Sequence, residues 1–178
     1  MLKLRLLFVC LLFTLSAACT FDFEPPQTGG ALPPTVPPQT NIRGEQAVVT
    51  SIIDGDTIDV SINGVSYRVR YIGINTPERD EACYREAREA NASLVRGQTV
   101  TLVRDESNTD QYGRLLRYVY VGDRFVNAEL VAQGYAEAVE YRPDTRHTAY
   151  FRELETLARE ANVGCHPTGI FDDGSLTR

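Results

Sequence analysis

Alternating apolar and polar residues run from Gln46 to Tyr71, and they constrain the fold more than any other feature of the chain. A period of two places every second side chain on one face of a sheet, so the pattern predicts half-buried β-strands. The apolar positions form three runs: Val48 with Ile52 and Ile53, then Ile58, Val60 and Ile62, then Val65, Tyr67, Val69 and Tyr71. Asn63-Gly64 between the last two runs is a hairpin signal. The sequence therefore predicts three consecutive strands, the last two joined by a tight turn.

Two further strands and three helices are predicted after this segment. The strands are 98–104 and 115–121, and the helices are 81–96, 126–134 and 144–162. Each helix carries apolar residues at helical spacing and is followed or closed by glycine. Three strands, a helix, two strands and two helices suit a five-stranded OB-fold barrel with helices packed on it. We therefore predict an α+β, mainly β domain over residues 45–168, followed by a C-terminal tail at 169–178.

The first 18 residues are typical of an export signal. Lys3 and Arg5 form a short basic start, and the apolar run from Leu6 to Leu15 is too short to span a bilayer, for which about 20 apolar residues are needed. Ser16-Ala17-Ala18-Cys19 is similar to a lipoprotein cleavage box, although Ser16 stands where leucine is preferred. Lipidation at Cys19 is the favoured interpretation, and ordinary cleavage beside it is the alternative. We predict an exported protein that is a cell-envelope lipoprotein rather than freely secreted.

Residues 19–44 are predicted to form a linker, because six of the nine prolines lie between residues 21 and 44. Such a segment is an extended tether or a disordered tail. If Cys19 is lipidated, the linker would hold the domain away from the membrane surface. Membrane association is expected only through this lipid anchor.

The chain is acidic, and removal of the predicted signal takes two positive charges from a net charge of −6, which leaves −8 and no lysine. An acidic protein is repelled by nucleic acid at long range, which argues against binding through a broad basic surface. A phosphate site would therefore have to be local and built from arginines or a metal ion.

Only two of the four cysteines, Cys83 and Cys165, fall in the predicted domain. In an exported protein such a pair favours one disulfide, and two free buried thiols are the alternative. The bond would close a loop of about 80 residues, which is worth roughly 4 kcal/mol in the chain-entropy description.

Three short polar motifs lie where predicted strands begin or end. The first, residues 53–57 (IDGDT), contains Asp54 and Asp56, although Asp and Gly are also ordinary turn residues and Asp54 need serve no other purpose. In the second, Arg70 ends a strand and a proline-containing loop then presents an amide, a hydroxyl and a carboxylate from Asn75, Thr76 and Glu78. The third, residues 110–114 (DQYGR), places Arg114 at the start of the fifth strand.

These residue types suit the chemistry of a phosphate. Asp56 and Asn75 offer the hard oxygen ligands that Ca²⁺ prefers. The guanidinium groups of Arg70 and Arg114 can bind phosphate oxygens through two parallel hydrogen bonds and stabilise charge that builds during displacement at phosphorus. Taken singly, each arginine could instead pair with an acidic neighbour, and Glu78 could cap the following helix.

Taken together, the three motifs resemble those of the staphylococcal nuclease (thermonuclease) family and follow that family's order, from about Gln46 to Cys165. They are IDGDT, R-x4-NTPE and D-x-YGR. The resemblance implies that a Ca²⁺ ion is held by Asp56, Asn75 and the Thr76 carbonyl group. It also implies that Glu78 is the general base and that two arginines, Arg70 and Arg114, hold the scissile phosphate. Tyr112 and Tyr141 resemble the tyrosines near bound nucleotide.

The implied activity is that of an exported, Ca²⁺-dependent nuclease that acts as a monomer and hydrolyses DNA, RNA or both to 3′-phosphate and 5′-hydroxyl ends. In the implied mechanism Glu78 takes the proton of an in-line water, the cation polarises the phosphate, and the arginines absorb negative charge. One departure carries weight, because Asn75 stands where the family usually has Asp and weaker metal binding should result. Another is that one of two tyrosines around residues 139–141 is not matched. The alternative is a non-catalytic OB-fold module that binds single-stranded nucleic acid or a protein partner.

Overall fold

The structure, a computed structural model, describes residues 42–172 and residue 174. The predicted signal at 1–18, most of the 19–44 linker and lipidation at Cys19 lie outside the described residues, as does most of the tail beyond residue 172.

Eight strands, three helices and a 3₁₀ turn make up the described part of the chain. In order they are β1 (Glu45–Ile52), β2 (Thr57–Ile62), β3 (Val65–Tyr71), β4 (Ile74–Asn75), α1 (Tyr84–Val95), β5 (Thr99–Val103), β6 (Leu115–Val121), β7 (Arg124–Phe125), α2 (Val126–Ala132), β8 (Glu137–Ala138), α3 (Thr148–Glu160) and the turn His166–Thr168. The three short strands β4, β7 and β8 were not predicted, since two residues are too few to show a period.

Five of the strands close into a barrel. β1 pairs antiparallel with β2 and β5, β2 pairs with β3, and β5 pairs with β6. A parallel pairing of β3 with β6 joins the two ends of this sheet. Alternate residues of β2 are fully or nearly buried, as the period of two requires: Ile58, Val60 and Ile62. The predicted five-stranded OB-fold barrel with three helices is confirmed.

Asn127 fastens α2 to the barrel. Its Oδ1 accepts a hydrogen bond from the Val119 backbone N–H at 2.9 Å, and its Nδ2 donates to the Ile72 carbonyl at 3.0 Å. With α2 packed against it, β6 is buried along nearly its whole length instead of on one face. No helix within residues 42–172 is long and apolar enough to cross a membrane.

Two helices begin later than the sequence predicts. α1 starts at Tyr84 instead of Glu81, because the Glu81 N–H bonds the Glu78 carbonyl in a separate turn and Cys83 has a left-handed φ of 68°. α3 starts at Thr148 instead of Asp144. The buried Asp144 carboxylate instead accepts hydrogen bonds from two backbone N–H groups of the loop before β6, at 2.7 and 2.9 Å.

The turn between β1 and β2 is held by α1. Asn91 accepts a hydrogen bond from the buried Tyr71 hydroxyl and donates one to the Asp54 carbonyl, both at 2.9 Å. Arg88 donates to the carbonyls of Ile52 and Ile53 at 3.0 and 3.2 Å. Burial raises the pKa of Tyr71 well above its usual value, so the hydroxyl stays a donor. The helix thereby fixes the loop that carries the IDGDT motif.

Cys83 and Cys165 form a disulfide with their Cα atoms 5.6 Å apart and a sequence separation of 82. It joins the residue before α1 to the segment after α3, where Cys165, Ala87 and Phe171 form a small buried cluster. The two ends of the helical layer are therefore linked covalently.

Replacing both cysteines by alanine should lower the free energy of unfolding by about 4 kcal/mol, because the unfolded chain regains the entropy of a loop of 82 residues. Urea unfolding of the oxidised protein and the double variant measures this. In reductant the two proteins should converge. Equal stability of the oxidised protein and the variant would contradict the prediction.

Gly55 allows the β1–β2 turn to pack directly against Thr76. A Cβ at this position would lie 2.6 Å from the Thr76 Oγ1 and 2.7 Å from its Cβ. Contacts this short do not occur between real side chains, and Thr76 is itself buried. The glycine of the motif is thus required by the close approach of two loops.

A Gly55→Ala variant should lose about 1–3 kcal/mol of stability through overpacking. Adding Thr76→Ser removes one clashing methyl group and should restore part of the loss, which a double-mutant cycle in urea detects as coupling. Thr76→Ser alone is the control, because it removes the methyl group without adding a Cβ at position 55. Additive effects of Gly55→Ala and Thr76→Ser would show that the contact is unimportant.

Candidate active site

The first two motifs meet at one end of the barrel. Thr57 on β2 pairs with Arg70 on β3, and the Asp56 carbonyl accepts a hydrogen bond from the Tyr71 N–H at 2.9 Å. This register places the Asp56 carboxylate beside the Arg70 guanidinium, with Nε and Oδ1 3.2 Å apart. Both side chains are more than nine-tenths buried.

The Asp56 carboxylate has four close partners, of which three donate hydrogen bonds and the fourth, Arg70, forms an ion pair. Its Oδ1 faces the Thr57 hydroxyl at 3.0 Å and the Arg70 Nε, and its Oδ2 faces the backbone N–H and the hydroxyl of Thr76 at 3.0 and 3.1 Å. An ionised carboxylate has about four lone-pair positions, so this set satisfies it completely. Asp56 is therefore an anion held rigidly between β2, β3 and the loop after β4.

Arg70 is held by backbone carbonyls as well as by Asp56. Its Nη1 donates to the carbonyls of Tyr71 and Ile74 at 2.8 Å, and its Nη2 donates to the Asn75 Oδ1 at 2.9 Å. These hydrogen bonds use three of the five guanidinium N–H groups, and the Nε group faces Asp56 in the ion pair. One N–H on Nη2 has no partner among the described contacts.

Asn75 has a second partner that sequence reasoning missed. Its Nδ2 donates to the Glu137 Oε1 at 3.2 Å, across the pairing of β4 with β8. Glu137 is 5% exposed, so a buried carboxylate lies beside the amide that replaces one. The one sequence signal is a glutamate between Ala136 and Ala138 in an otherwise apolar stretch, and nothing local connects it to Asn75.

Asp54 makes the turn contact that the sequence predicts. Its Oδ1 accepts the Asp56 backbone N–H at 3.1 Å. Burial and then the negative charge of Asp56 raise the pKa of Asp54 to about 7, against the lowering effect of hydrogen bonds and of Arg70.

Glu78 lies on the turn before α1. The Glu78 backbone N–H donates to the Glu81 carboxylate at 2.8 Å, so Glu81 and not Glu78 supplies the side chain that caps this turn. Glu78 is exposed, and within residues 42–172 its carboxylate has no hydrogen bond or ion pair. It follows Thr76 by two residues and is available to act on a bound molecule.

Arg114 is fixed by Asp110. The Arg114 Nε donates to one carboxylate oxygen of Asp110 at 2.6 Å, while the backbone N–H groups of Arg114 and Tyr112 donate to the other at 2.9 Å. Burial opposes ionisation of Asp110, but the hydrogen bonds from Arg114 and Tyr112 outweigh it and lower the pKa. Arg114 also lies over the Tyr112 ring, 5.4 Å from its centroid.

The parallel pairing of β3 with β6 relates the two arginines. Arg70 lies opposite Leu116, and Arg114 directly precedes β6, so the pairing brings the two arginines to the same end of the barrel. Tyr112 is 75% exposed and therefore free to contact a ligand.

Tyr141 lies in a separate groove of about 670 Å³ beside β8. Val139 lines the same groove, and Glu140 there accepts hydrogen bonds from Arg142 and Arg152 at 2.6 and 2.9 Å. Where the family has its second tyrosine near this groove, this chain therefore has Val139, which is smaller, or Glu140, which is paired with two arginines.

The structure joins Asp56, Arg70, Asn75 and Thr76 in one buried network. The described contacts do not link this network directly to Glu78, Arg114, Tyr112 or Tyr141, which lie on adjoining segments. Among the described residues no three His, Cys, Asp or Glu side chains cluster closely enough to hold a metal. The candidate metal ligands in the network, which are the Asp56 carboxylate, the Asn75 Oδ1 and the Thr76 carbonyl, are nevertheless all oxygens, as a hard cation requires.

Comparisons with known proteins agree with the motifs. The family described as Staphylococcal nuclease homologue matches residues 68–165. The thermonuclease of Staphylococcus intermedius is 32% identical over 130 residues, which cover 70% of this chain and 77% of that protein. Protein ParB of Escherichia coli is 39% identical over 137 residues, covering 72% and 74% of the two chains. Endonuclease YncB of Bacillus subtilis is 39% identical over 115 residues, covering 60% and 54%.

The family match spans more than half of the chain, and it includes the second and third motifs in full. The first motif precedes the matched range and joins the second through the Asp56–Arg70 contact. The resemblance seen in the motifs is confirmed, and this chain belongs to the staphylococcal nuclease family.

Proposed function

We propose that this protein is an exported, Ca²⁺-dependent nuclease that hydrolyses phosphodiester bonds of DNA, RNA or both and leaves 3′-phosphate and 5′-hydroxyl ends. The observation that carries the proposal is the buried network in which Arg70 contacts both Asp56 and Asn75. The rigid Asp56 carboxylate can bind a cation, and the free N–H of the adjacent Arg70 guanidinium can bind a phosphate oxygen. The names of the relatives, a thermonuclease and an endonuclease among them, support the same reaction.

Ca²⁺ would be held by Asp56, Asn75 and the Thr76 carbonyl. When bound, the cation would supply positive charge that polarises the phosphate. Because the Asp56 carboxylate already has four close partners, three of them hydrogen-bond donors, it must release at least one of them to bind a cation. The hydroxyls of Thr57 and Thr76 are the replaceable partners, since a hydroxyl can rotate and accept elsewhere.

The side chains of the protein supply the rest of the chemistry. The Glu78 carboxylate would accept the proton of the attacking water, for which an unpaired and exposed carboxylate is suited. Arg70 and Arg114 would donate to phosphate oxygens as negative charge builds on them. Asp110 would hold the Arg114 guanidinium in a fixed orientation, because the ion pair is 2.6 Å long.

Export is proposed from the signal-like first 18 residues, with the lipid anchor at Cys19. The disulfide between Cys83 and Cys165 supports an oxidising compartment, because such bonds persist outside the cytosol. We further propose that the protein acts as a monomer.

A Glu78→Gln variant should lose about 10²–10⁴-fold in the rate of DNA cleavage in Ca²⁺, because an amide cannot accept the proton. Digestion of single-stranded and plasmid DNA in Ca²⁺ or chelator measures this, with the exposed Glu160→Gln as the matched control. If the parent protein binds DNA but cleaves none in Ca²⁺, the non-catalytic binding module replaces this proposal.

Asn75 and Glu137 should be tested together. Asn75→Asp alone places a second carboxylate against the Glu137 Oε1, which now lies 3.2 Å from the Asn75 Nδ2. Like charges at this distance disfavour ionisation, so the single variant should be less stable than the double variant Asn75→Asp/Glu137→Gln. The double variant should bind Ca²⁺ more tightly than the parent protein, since the added charge is at a ligand position.

Calorimetric Ca²⁺ titration and urea unfolding of the four proteins provide the readouts, independently of activity. Glu137→Gln alone is the control for loss of the buried charge. Equal Ca²⁺ affinity of the double variant and the parent protein would refute the role given to Asn75.

A further inference from the structure

A second groove, with a volume of about 840 Å³, lies between α1 and the end of β1. Its lining includes Arg79, Arg85 and Arg88 with the ring of Tyr84, against a single acid, Glu89. We call it the α1 groove. Three arginines against one glutamate make it locally basic on a chain whose net charge is −6.

Two of these arginines are free to bind a ligand. Arg79 and Arg85 are exposed, and neither has an ion pair or hydrogen bond within the described part of the chain. Arg88 differs, because it holds the carbonyls of Ile52 and Ile53. The acid of the groove is drawn toward another partner, since the Glu89 carboxylate lies 3.4 Å from the Arg96 Nη2.

The α1 groove adjoins the candidate active site through the chain itself. Arg79 directly follows Glu78, and Ile53 directly precedes the Asp54–Asp56 turn. A strand whose phosphate lies between Arg70 and Glu78 would therefore reach the groove within a short distance on one side.

We propose that the α1 groove binds the phosphate backbone of the single-stranded substrate that flanks the cleaved bond. This rests on the proposed nuclease function and adds to it a substrate class, a strand several nucleotides long. Proteins that bind single-stranded nucleic acid combine positively charged side chains, which contact the phosphates, with aromatic rings, on which the bases stack. The α1 groove has both kinds of group. The groove also explains how a protein with a net negative charge binds a polyanion. Its arginines contact the phosphates within a few ångströms, whereas the repulsion from the net charge of the protein acts over longer distances and is screened by salt.

The test is the double variant Arg79→Ala/Arg85→Ala. On a single-stranded oligonucleotide of about 12 residues, kcat/KM should fall roughly tenfold, while kcat/KM on a nucleotide with one scissile bond and a nitrophenyl leaving group should be unchanged. Affinity for an uncleavable oligonucleotide, measured against salt, should show a slope smaller by about 1.4, since each phosphate contact on a single strand contributes about 0.7.

Arg43→Ala/Arg124→Ala is the matched control, because it removes the same charge from exposed positions before β1 and on β7. Arg43 lies at the opposite end of β1 from the groove, roughly 25 Å away along a strand of this length. Arg85→Glu provides a second variant, expected to lose more on the long substrate than Arg85→Ala does.

Each outcome decides between explanations. Unchanged cleavage and binding of the long substrate, or an equal loss on both substrates, overturns the α1 groove as a subsite. An equal loss in the control variant attributes the effect to overall charge and also overturns it. If the parent protein cleaves neither substrate, the nuclease function fails, and the salt dependence of binding still tests the groove.

Discussion

The contact between Asp56 and Arg70 is the interaction on which the site depends. Both groups are buried, at 3.2 Å from Nε to Oδ1, and neither charge could be tolerated there alone. Because both groups are buried, many neighbours form hydrogen bonds with them: two threonine hydroxyls, one backbone N–H, two backbone carbonyls and the Asn75 Oδ1. Gly55 belongs to the same requirement, since a larger residue would separate the Asp56 turn from Thr76.

The pairing of Asn75 with Glu137 changes how the missing aspartate should be understood. A simple exchange of Asp for Asn removes one negative charge from the ligand set. In this protein a glutamate side chain is buried next to that amide and accepts a hydrogen bond from it. The hydrogen bond also fixes the amide, because Nδ2 faces Glu137 and Oδ1 faces Arg70. Asn75 is thereby oriented by two side chains, one a donor and the other an acceptor.

Sequence reasoning succeeded where a short-range pattern carries the structure. The period of two predicted the first three barrel strands, and β2 shows why, with Ile58, Val60 and Ile62 facing inward. It failed where a long-range contact decides the outcome. Asp144 was placed in a helix because its neighbours have helical spacing, whereas two N–H groups near residue 106 hold it outside. Glu137 could not be found at all, since its role follows from a two-residue pairing with a strand 62 positions away.

A crystal structure of the protein grown with Ca²⁺ and a short uncleavable oligonucleotide tests the central claim most directly. We expect cation density in contact with the Asp56 carboxylate, the Asn75 Oδ1 and the Thr76 carbonyl, with the scissile phosphate against the free N–H of Arg70. We also expect at least one threonine hydroxyl to have left Asp56. A cation bound at Glu137 without Asp56, or a phosphate bound away from Arg70, would contradict the account.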